Sequence, residues 1–428
     1  MKDEKELKVG LLNGDFDGDL GRVYVSEKEV TDNRQRISRL IDVFASLYGE
    51  DREVEVFSAP GRTEVGGNHT DHNHGRVLAA SINLDAIAVV SPNNDNTIRI
   101  KSEKYKNADV VELDKLEVDE NEKGKSTGLI RGVCAAFVER GYKIGGFDAA
   151  TFSDVLTGSG LSSSAAFEVL VGTILNHLFN EGKIDPVEIA QISQYSENVY
   201  FGKPCGLMDQ MACSVGGFVS IDFEDPEKPI IQKVDFDFEH SKHALCIVDT
   251  KGNHAGLDDE YGAVRLEMEA VAKYFGKNNL RELPQELFEK DIAALRPQVG
   301  DRALMRAFHF YNENKRVLKL VSALMDNNFE DFKSFIIESG FSSYMYNQNI
   351  YLAGQPDTQP VALALCLSEE VLKGRGAWRV HGGGFAGTIQ AFVPYDLLDE
   401  YKNRLNSAFG ADACKVLSVR PVGGVKII

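Results

Sequence analysis

The chain has 428 residues, of which 43% are hydrophobic and 26% are charged. This is ordinary globular usage, and the length suffices for roughly two to three domains with a sizeable core. The formal net charge is −18, from 47 Lys and Arg against 65 Asp and Glu. Such a charge excludes a broadly electropositive surface, so we predict neither a nucleic-acid nor a membrane partner. An anionic ligand would need a local basic or backbone-amide site.

The ends and the cysteines indicate a cytoplasmic protein. The N-terminus, MKDEKELKVGLLNG, lacks the basic-then-apolar pattern of a signal peptide. No apolar run approaches the roughly 18 residues of a membrane span. The six cysteines form no CxxC motif, so we expect free thiols in a reducing compartment.

Hydrophobic periodicity predicts a mixture of helices and strands. In chain order we predict a helix over 28–50, strands over 53–57, 81–91 and 97–101, a helix over 128–140, a strand over 146–155, helices over 165–180 and 185–200, strands over 217–223 and 243–249, helices over 258–275, 286–294, 300–325, 328–338 and 358–373, and strands over 376–380, 387–393 and 414–419. The elements do not alternate strictly, which favours an α+β fold over a doubly wound parallel sheet. We place a boundary near residue 220, giving lobes 1–220 and 221–428.

The first motif is a glycine-rich loop over residues 60–75, PGRTEVGGNHTDHNHG. Its density of short polar groups suits a polyhydroxylated ligand, since each hydroxyl needs both a donor and an acceptor. His69, His72 and His74 also allow a zinc site, but they lack the i, i+4 helical spacing of a HExxH motif. A solvated polar loop is a third interpretation.

The second motif, GSGLSSSAA over 158–166, follows a predicted strand and opens a predicted helix. Glycines let the backbone approach a ligand, and the N–H groups of a helix start bind phosphate. The serine hydroxyls can bind phosphate oxygens or Mg²⁺. The lysine of a Walker A loop is absent. A serine-capped helix after a tight turn is the alternative.

Two further motifs are weaker by themselves. Asp209 follows the turn-rich GKPCGLM segment, where it could simply cap a helix. VHGGGFAG over 380–387 precedes an apolar strand, and its glycines permit close approach by a ligand or by another element.

Taken in this order, the motifs resemble the GHMP small-molecule kinase superfamily and, within it, the galactokinase family, over about residues 59–421. The Pro-Gly-Arg…His-Thr-Asp loop looks like the galactokinase signature, GLSSSAA like the phosphate loop, and GGGFAG like the third superfamily motif. Met208-Asp209-Gln210 and Tyr261-Gly-Ala-Val-Arg265 are also similar to family segments, although Val264 stands where an Arg is usual. The resemblance implies two α+β lobes, with ATP and sugar meeting in the cleft between the lobes.

The resemblance also implies roles for single residues. Asp209 would face the anomeric hydroxyl as the catalytic carboxylate, with Arg62 as its cationic neighbour. Ser164 and Glu197 would hold Mg²⁺. The triphosphate would be bound by Gly158, Ser159, Gly160, Leu161, Ser162, Ser163 and Ser164. The sugar would be bound by Asn68, His69, Asp71 and Tyr261, while Gly383 and Gly384 back the site without chemistry.

The departures from the family pattern bear on the choice of sugar. Asn68 replaces the Glu expected to accept a hydrogen bond from the 6-hydroxyl, and Glu64 stands for a usual Asn. His72 and His74 replace a usual Tyr and Gly, which adds two potentially cationic groups near the sugar's C6 position. The changes at residues 68, 72 and 74 favour an anionic substituent, yet no Arg, the natural partner of a carboxylate, is introduced at these positions.

We therefore expect an ATP-dependent kinase that phosphorylates the anomeric hydroxyl of D-galactose. The first alternative is a 1-kinase for galacturonate, L-arabinose or another hexose. The second is a non-catalytic sugar and ATP sensor on the same fold. A sensor would be expected to lose the catalytic and Mg²⁺-binding groups, and all of these are present. No role is predicted for the residues before Asp51, and the oligomeric state is not predicted.

Overall fold

The computed structural model describes residues 1–155, 160–252 and 256–428. Its internal contacts divide the chain into two compact units. The first unit contains Met1–Arg62, Ser81–Gly217 and Arg420–Ile428, and the second contains Thr63–Ala80 and Phe218–Val419. The boundary that we expect near residue 220 would place Thr63–Ala80 in the first unit and Arg420–Ile428 in the second, but each segment belongs to the other unit. Two strands, over 53–66 and 76–92, contribute residues to both units, which explains the exchange of residues 63–80. The C-terminal segment belongs to the first unit because its residues 425–426 pair with residues 57–58, and hydrophobic periodicity reveals neither arrangement.

The secondary structure mixes strands and helices throughout. The strands are β1 (Lys2–Asp3), β2 (Glu53–Gly66), β3 (Arg76–Pro92), β4 (Thr97–Ser102), β5 (Asp109–Glu112), β6 (Phe147–Ser153), β7 (Phe218–Asp222), β8 (Ile230–Val234), β9 (His243–Asp249), β10 (Ala377–His381), β11 (Thr388–Pro394), β12 (Cys414–Leu417) and β13 (Val425–Lys426). The α-helices are α1 (Glu4–Asn13), α2 (Asp17–Gly21), α3 (Glu27–Tyr48), α4 (Ser126–Glu139), α5 (Ser163–Phe179), α6 (Pro186–Tyr195), α7 (Met208–Val215), α8 (Asp258–Tyr274), α9 (Gln285–Lys290), α10 (Ile292–Val299), α11 (Asp301–Met325), α12 (Phe329–Ser342), α13 (Pro360–Leu372) and α14 (Leu398–Phe409). This is the α+β class that the sequence predicts.

The sheet of the first unit has the strand order β1-β2-β3-β6-β4-β5, with β13 paired to β2. The β4–β6 pair is parallel, and β3 runs antiparallel to β6 from Ala86↔Ser153 to Pro92↔Phe147. Helix α3 covers part of this sheet. Its start carries a capping box between Ser26 and Glu29, and its apolar face is buried in the core.

The second unit contains an antiparallel sheet in the order β10-β11-β9-β12. In the same unit β7 pairs with the beginning of β3, from Arg76↔Asp222 to Ala80↔Phe218, and β8 pairs with β7. Two apolar cores stabilise this unit. One lies around the four-stranded sheet, and the other lies among helices α8–α11.

Several local predictions are wrong or incomplete. Residues 60–66, predicted as part of a loop, continue strand β2. Because β2 is buried from Val54 to Gly66, it lacks the alternation that identifies a half-buried strand. Sequence reasoning also missed α1, α2, α14, β5 and β8. No helix in the three described stretches is long and apolar enough to cross a membrane.

Candidate active site

In the first unit, Arg62 and Asp209 form a direct ion pair. The Arg62 Nε donates to Asp209 Oδ1 at 2.7 Å. Burial alone would raise the pKa of Asp209, but Arg62 and a hydrogen bond from Ser162 Oγ to Oδ2 hold it below its usual value. Asp209 lies in the first turn of α7, where the helix dipole also favours a negative charge. Asp209 is therefore an ionised carboxylate at neutral pH. It does not cap α7, because Leu207 occupies the N-cap position.

Arg62 also binds the backbone of the phosphate-loop segment. Its backbone N–H donates to the Leu161 carbonyl at 3.1 Å, and its Nη1 donates to the Gly160 carbonyl. The arginine thus connects strand β2, this segment and Asp209. Gly158 and Ser159, which we predict to bind ATP, lie outside the described residues.

The start of α5 has backbone N–H groups that can bind an anion. Ser162 occupies the N-cap position in the left-handed region at φ 60°, and within the described chain no side chain caps this helix start. The Ser162 hydroxyl, which could have capped the helix, is directed to Asp209 instead. The first N–H groups of α5, beginning at Ser163 and Ser164, therefore form a site of the kind that binds phosphate.

Ser164 and Glu197 are brought together as the sequence predicts for a Mg²⁺ site. The Ser164 hydroxyl donates to Glu197 Oε1 at 3.0 Å. Two oxygen ligands at right angles around a Mg²⁺ at about 2.1 Å are separated by about 3 Å, so this spacing fits the ion. Glu197 is 2% exposed and lies in a π-helix, Ser196–Phe201, that follows α6. Such local widening of a helix is frequent at functional sites.

Gln210 and Glu168 surround this pair and were not identified from the sequence. The Gln210 amide donates to Glu197 Oε2 at 2.7 Å and to Glu168 Oε2 at 3.2 Å. Burial and then the charge of Glu197 raise the pKa of Glu168 well above its usual value. Lys203 Nζ lies 3.4 Å from Glu197 Oε1. Glu197 is thus bound by Ser164, Gln210 and Lys203.

In the second unit, Asn68 is fully buried and its side chain is saturated by protein groups. Its amide donates to Glu64 Oε1 at 3.1 Å and to the Gly382 carbonyl at 2.8 Å. Its oxygen accepts from Asn349 Nδ2 at 2.9 Å and from Ser343 Oγ at 3.2 Å. An amide offers two donors and two lone pairs, so all four positions are used.

The GGGFAG motif supplies carbonyl acceptors for His69 and Tyr261, which we predict to bind the sugar. His69 Nε2 donates to the Gly383 carbonyl at 2.9 Å, and the Tyr261 hydroxyl donates to the Gly384 carbonyl at 3.1 Å. A Cβ at Gly383 would lie 2.6 Å from the Tyr261 ring, which explains the need for glycine. In the neutral tautomer with Nε2 as the donor, Nδ1 of His69 is a hydrogen-bond acceptor.

Asp71 begins a single helical turn, Asp71–Asn73, and is half-buried. The neighbouring His72 does not carry the positive charge considered above. Burial lowers the pKa of His72 to about 3, and its Nδ1 accepts a hydrogen bond from Asn73 at 2.9 Å. The expectation of a cationic group at His72 is therefore wrong, because the ring is desolvated.

A zinc site at the three histidines also lacks support. His69 binds the Gly383 carbonyl and His74 Nδ1 lies 3.4 Å from Asn279 Nδ2. Within residues 1–155, 160–252 and 256–428, no group of three His, Cys, Asp or Glu is placed to hold a metal ion.

Sequence analysis did not identify the buried polar residues that support the segment around Glu64, His69 and Asp71. Arg379 is fully buried and pairs with Glu64 Oε1 at 2.7 Å. His309 and Glu313 on α11 bind the loop backbone. The available signal was an i, i+4 pair of polar residues on the buried face of a helix, since such residues are rarely buried without a partner.

Comparison with known proteins places this geometry in a family. The family model "GHMP kinases N terminal domain" matches residues 128–217, and the "Galactokinase galactose-binding signature" matches residues 42–92. The chain is 30% identical over 399 residues to a galactokinase of Clostridium tetani, covering 91% of this chain and 95% of that protein. A crystal structure of Lactococcus lactis galactokinase complexed with galactose is 25% identical, with a TM-score of 0.76 over 91% of this chain and 100% of that one. A mevalonate kinase structure shares the fold at 13% identity, with a TM-score of 0.61 over 85% of this chain and 99% of that one.

The fold and the phosphate-loop residues define a small-molecule kinase of the GHMP superfamily. Within that class, the chain belongs to the galactokinase family. It is a galactokinase-type sugar kinase, for which ATP is the co-substrate.

Proposed function

We propose that the protein transfers the γ-phosphoryl group of ATP to the anomeric hydroxyl of D-galactose, giving galactose 1-phosphate and ADP. The observation that carries this proposal is the Arg62–Asp209 pair, which is bonded to the phosphate-loop backbone. The position of the site in a cleft between two lobes stays a prediction.

Asp209 acts on the sugar hydroxyl. Because its pKa lies below the usual value, Asp209 is ionised and can accept the proton of the anomeric hydroxyl as the phosphoryl group arrives. Arg62 keeps the carboxylate charged and offsets negative charge on the reacting oxygens.

The helix start after Ser162 binds the phosphates, and Ser164 with Glu197 holds Mg²⁺. When bound, Mg²⁺ neutralises charge on the phosphate oxygens. One hydroxyl and one carboxylate are sufficient protein ligands, since Mg²⁺ keeps waters and takes phosphate oxygens.

The sugar is bound by His69, Asp71 and Tyr261. His69 Nδ1 and the Asp71 carboxylate are acceptors for ring hydroxyls, and the Tyr261 hydroxyl can accept while it donates to Gly384. Asn68 was expected to contact the 6-hydroxyl. We now propose that it orders the loop, because a sugar contact would require the loss of one of its four protein hydrogen bonds.

Galactose is preferred over galacturonate on electrostatic grounds. The His72 ring is neutral, and the Glu64 carboxylate lies 3.1 Å from the Asn68 amide. Arg379 is already paired with Glu64, so a carboxylate on the sugar would find no uncompensated cation at Glu64, Asn68 or His72.

We expect the release of ADP from Mg²⁺-ATP to have a higher kcat/KM with galactose than with galacturonate, L-arabinose or N-acetylgalactosamine. Asp209→Asn keeps the shape of the side chain but removes the base, and should lower kcat by at least about 10²-fold while galactose still binds. A higher kcat/KM for galacturonate would refute the choice of sugar. Binding without turnover in the unaltered protein would instead favour the sensor.

We further propose that the enzyme works in the cytoplasm. All six cysteines are free thiols, which is typical of a reducing compartment. Cell fractionation with an antibody to the protein tests this location.

A further inference from the structure

Helix α11 contacts the backbone at both ends of the segment Gly67–Arg76, which we call the sugar loop. His309 Nε2 donates to the Asn68 carbonyl at 2.8 Å, and Glu313 Oε1 accepts from the Gly67 N–H at 3.2 Å. At the other end, Asn314 Oδ1 accepts from the Arg76 N–H at 2.8 Å. Three side chains of one helix thus satisfy backbone groups on both sides of His69 and Asp71.

The two residues that bind Gly67 and Asn68 are themselves fixed. Both are fully buried. His309 Nδ1 lies 2.9 Å from the Ser342 hydroxyl, and Glu313 accepts from Ser339 Oγ at 2.5 Å and from Arg316. A side chain whose second polar atom is already bonded has little freedom to leave its first partner.

The charge states suit these roles. Burial lowers the pKa of His309 to about 4, so the ring is neutral at pH 7. With Nδ1 accepting from Ser342, Nε2 is the N–H donor that the Asn68 carbonyl requires. Burial would raise the pKa of Glu313, but the charge of Arg316 lowers it to about 2, so the acceptor for Gly67 is a carboxylate.

The loop backbone needs such support because of its conformation. His69 has φ 57°, in the left-handed region that non-glycine residues rarely adopt. The loop also lies close against α11, since a Cβ at Gly75 would be 2.9 Å from the Phe310 ring. The hydrogen bonds at residues 67 and 68 immediately precede the strained residue.

We propose that His309 and Glu313 are positioning residues for the sugar, which act through the Gly67–Asn68 backbone without touching the substrate. The inference rests on the proposed function, in which His69 and Asp71 bind the sugar. Losing either hydrogen bond allows the loop to leave its binding conformation, so sugar affinity falls while the ATP side is unaffected.

The test compares three variants of the full-length protein. His309→Leu removes the donor and should raise the KM for galactose about tenfold, with the KM for ATP changed less than about twofold. His309→Gln places an amide N–H near the Nε2 position and should recover most of this loss. Val317→Ala, buried in the same helix, is the control that lowers the melting temperature without changing the KM for galactose.

Galactose binding by calorimetry and thermal unfolding are measured alongside the kinetics. Equal changes in both KM values, or no rescue by His309→Gln, would show a merely structural role and overturn the inference. If His309→Leu does not fold, Glu313→Asp, whose shorter carboxylate withdraws from Gly67, must show the same selective rise in the KM for galactose. If the unaltered protein binds no galactose, the proposed function is overturned as well. If the unaltered protein binds galactose and the variants have an unchanged KM for galactose, only this inference is overturned.

Discussion

Among single residues, Glu64 and Asn68 show how burial changes the role of a polar side chain. The sequence resemblance leads us to expect an amide at residue 64 and a carboxylate at residue 68, the reverse of the two groups in this chain. The structure joins the two by a hydrogen bond of 3.1 Å and ties Glu64 to the buried Arg379. In this environment the amide at residue 68 completes a network and cannot be replaced by a second carboxylate without cost.

We predict that Asn68→Glu destabilises the protein by about 2–4 kcal/mol, because it buries a second carboxylate beside Glu64. Glu64→Asn should cost roughly 3–5 kcal/mol, since it leaves Arg379 buried without its counter-charge. The double variant, with one carboxylate restored, should be more stable than the sum of the two changes implies by at least about 1 kcal/mol. Urea unfolding measures all three.

The exposed Asn278→Glu serves as the control for this series, since it makes the same chemical change at a solvent-exposed side chain. Strict additivity of the two single changes would show that residues 64 and 68 are energetically independent. That result would contradict the network described for the sugar loop.

At the scale of elements, the π-helix Ser196–Phe201 and the start of α5 bring Glu197 to Ser164. The start of α5 is marked by the GSGLSSSAA motif, but the π-helix is not distinctive in the sequence, since α6 and the π-helix are predicted as one continuous helix. The pairing of a carboxylate with a hydroxyl at 3.0 Å depends on how the two helices pack. This packing, together with the Gln210 amide, orients Glu197 toward Ser164 for the proposed Mg²⁺ site.

We predict that Glu197→Gln raises the Mg²⁺ concentration for half-maximal activity by at least about tenfold, because the amide can still bond to Ser164 but lacks the charge that attracts the ion. The measurement is initial rate against free Mg²⁺ at saturating ATP and galactose. Glu181→Gln, on an exposed carboxylate, is the control. An unchanged Mg²⁺ requirement would remove Glu197 from the metal site.

At the scale of the whole molecule, the N-terminal residues before α3 belong to the core of the first unit. Leu7, Leu11, Leu20, Val23 and Tyr24 are buried there. The Tyr24 hydroxyl donates at 2.8 Å to Asp85, a fully buried carboxylate that also binds Arg36 at 2.6 Å and Arg420 at 3.0 Å. This segment thus helps to enclose a buried ion network that joins distant parts of the chain.

We predict that Tyr24→Phe lowers the free energy of unfolding by about 1.5–3 kcal/mol, the usual loss for a hydrogen bond to a charged group. Tyr105→Phe makes the same chemical change at a residue that is 66% exposed and should change stability by less than about 0.5 kcal/mol. Denaturant unfolding compares the two. Equal stability of the two variants would show that the Tyr24–Asp85 bond contributes nothing net.

Local sequence patterns predicted most of the helices and strands. The predicted helix over 300–325 is α11, Asp301–Met325, and the predicted strand over 243–249 is β9. Such elements bury one face or a continuous apolar run, so their periodicity is visible in the sequence. The continuation of strand β2 through Gly66 was not predicted because the strand is buried almost throughout. The edge strands β5 and β8 were not predicted because they are short and bury only one residue each.

By itself, the sequence determined the α+β class through its hydrophobic periodicity. It also identified the kinase family, and with it the residues of the Arg62–Asp209 and Ser164–Glu197 pairs, through the resemblance of its motifs to that family. Only the tertiary structure decided the states of the polar groups around the sugar loop. Asn68 is saturated, His72 is neutral, and α11 holds the loop from a distance of more than 230 residues along the chain. Burial and long-range hydrogen bonding determine these properties, and neither is encoded in the spacing of a motif.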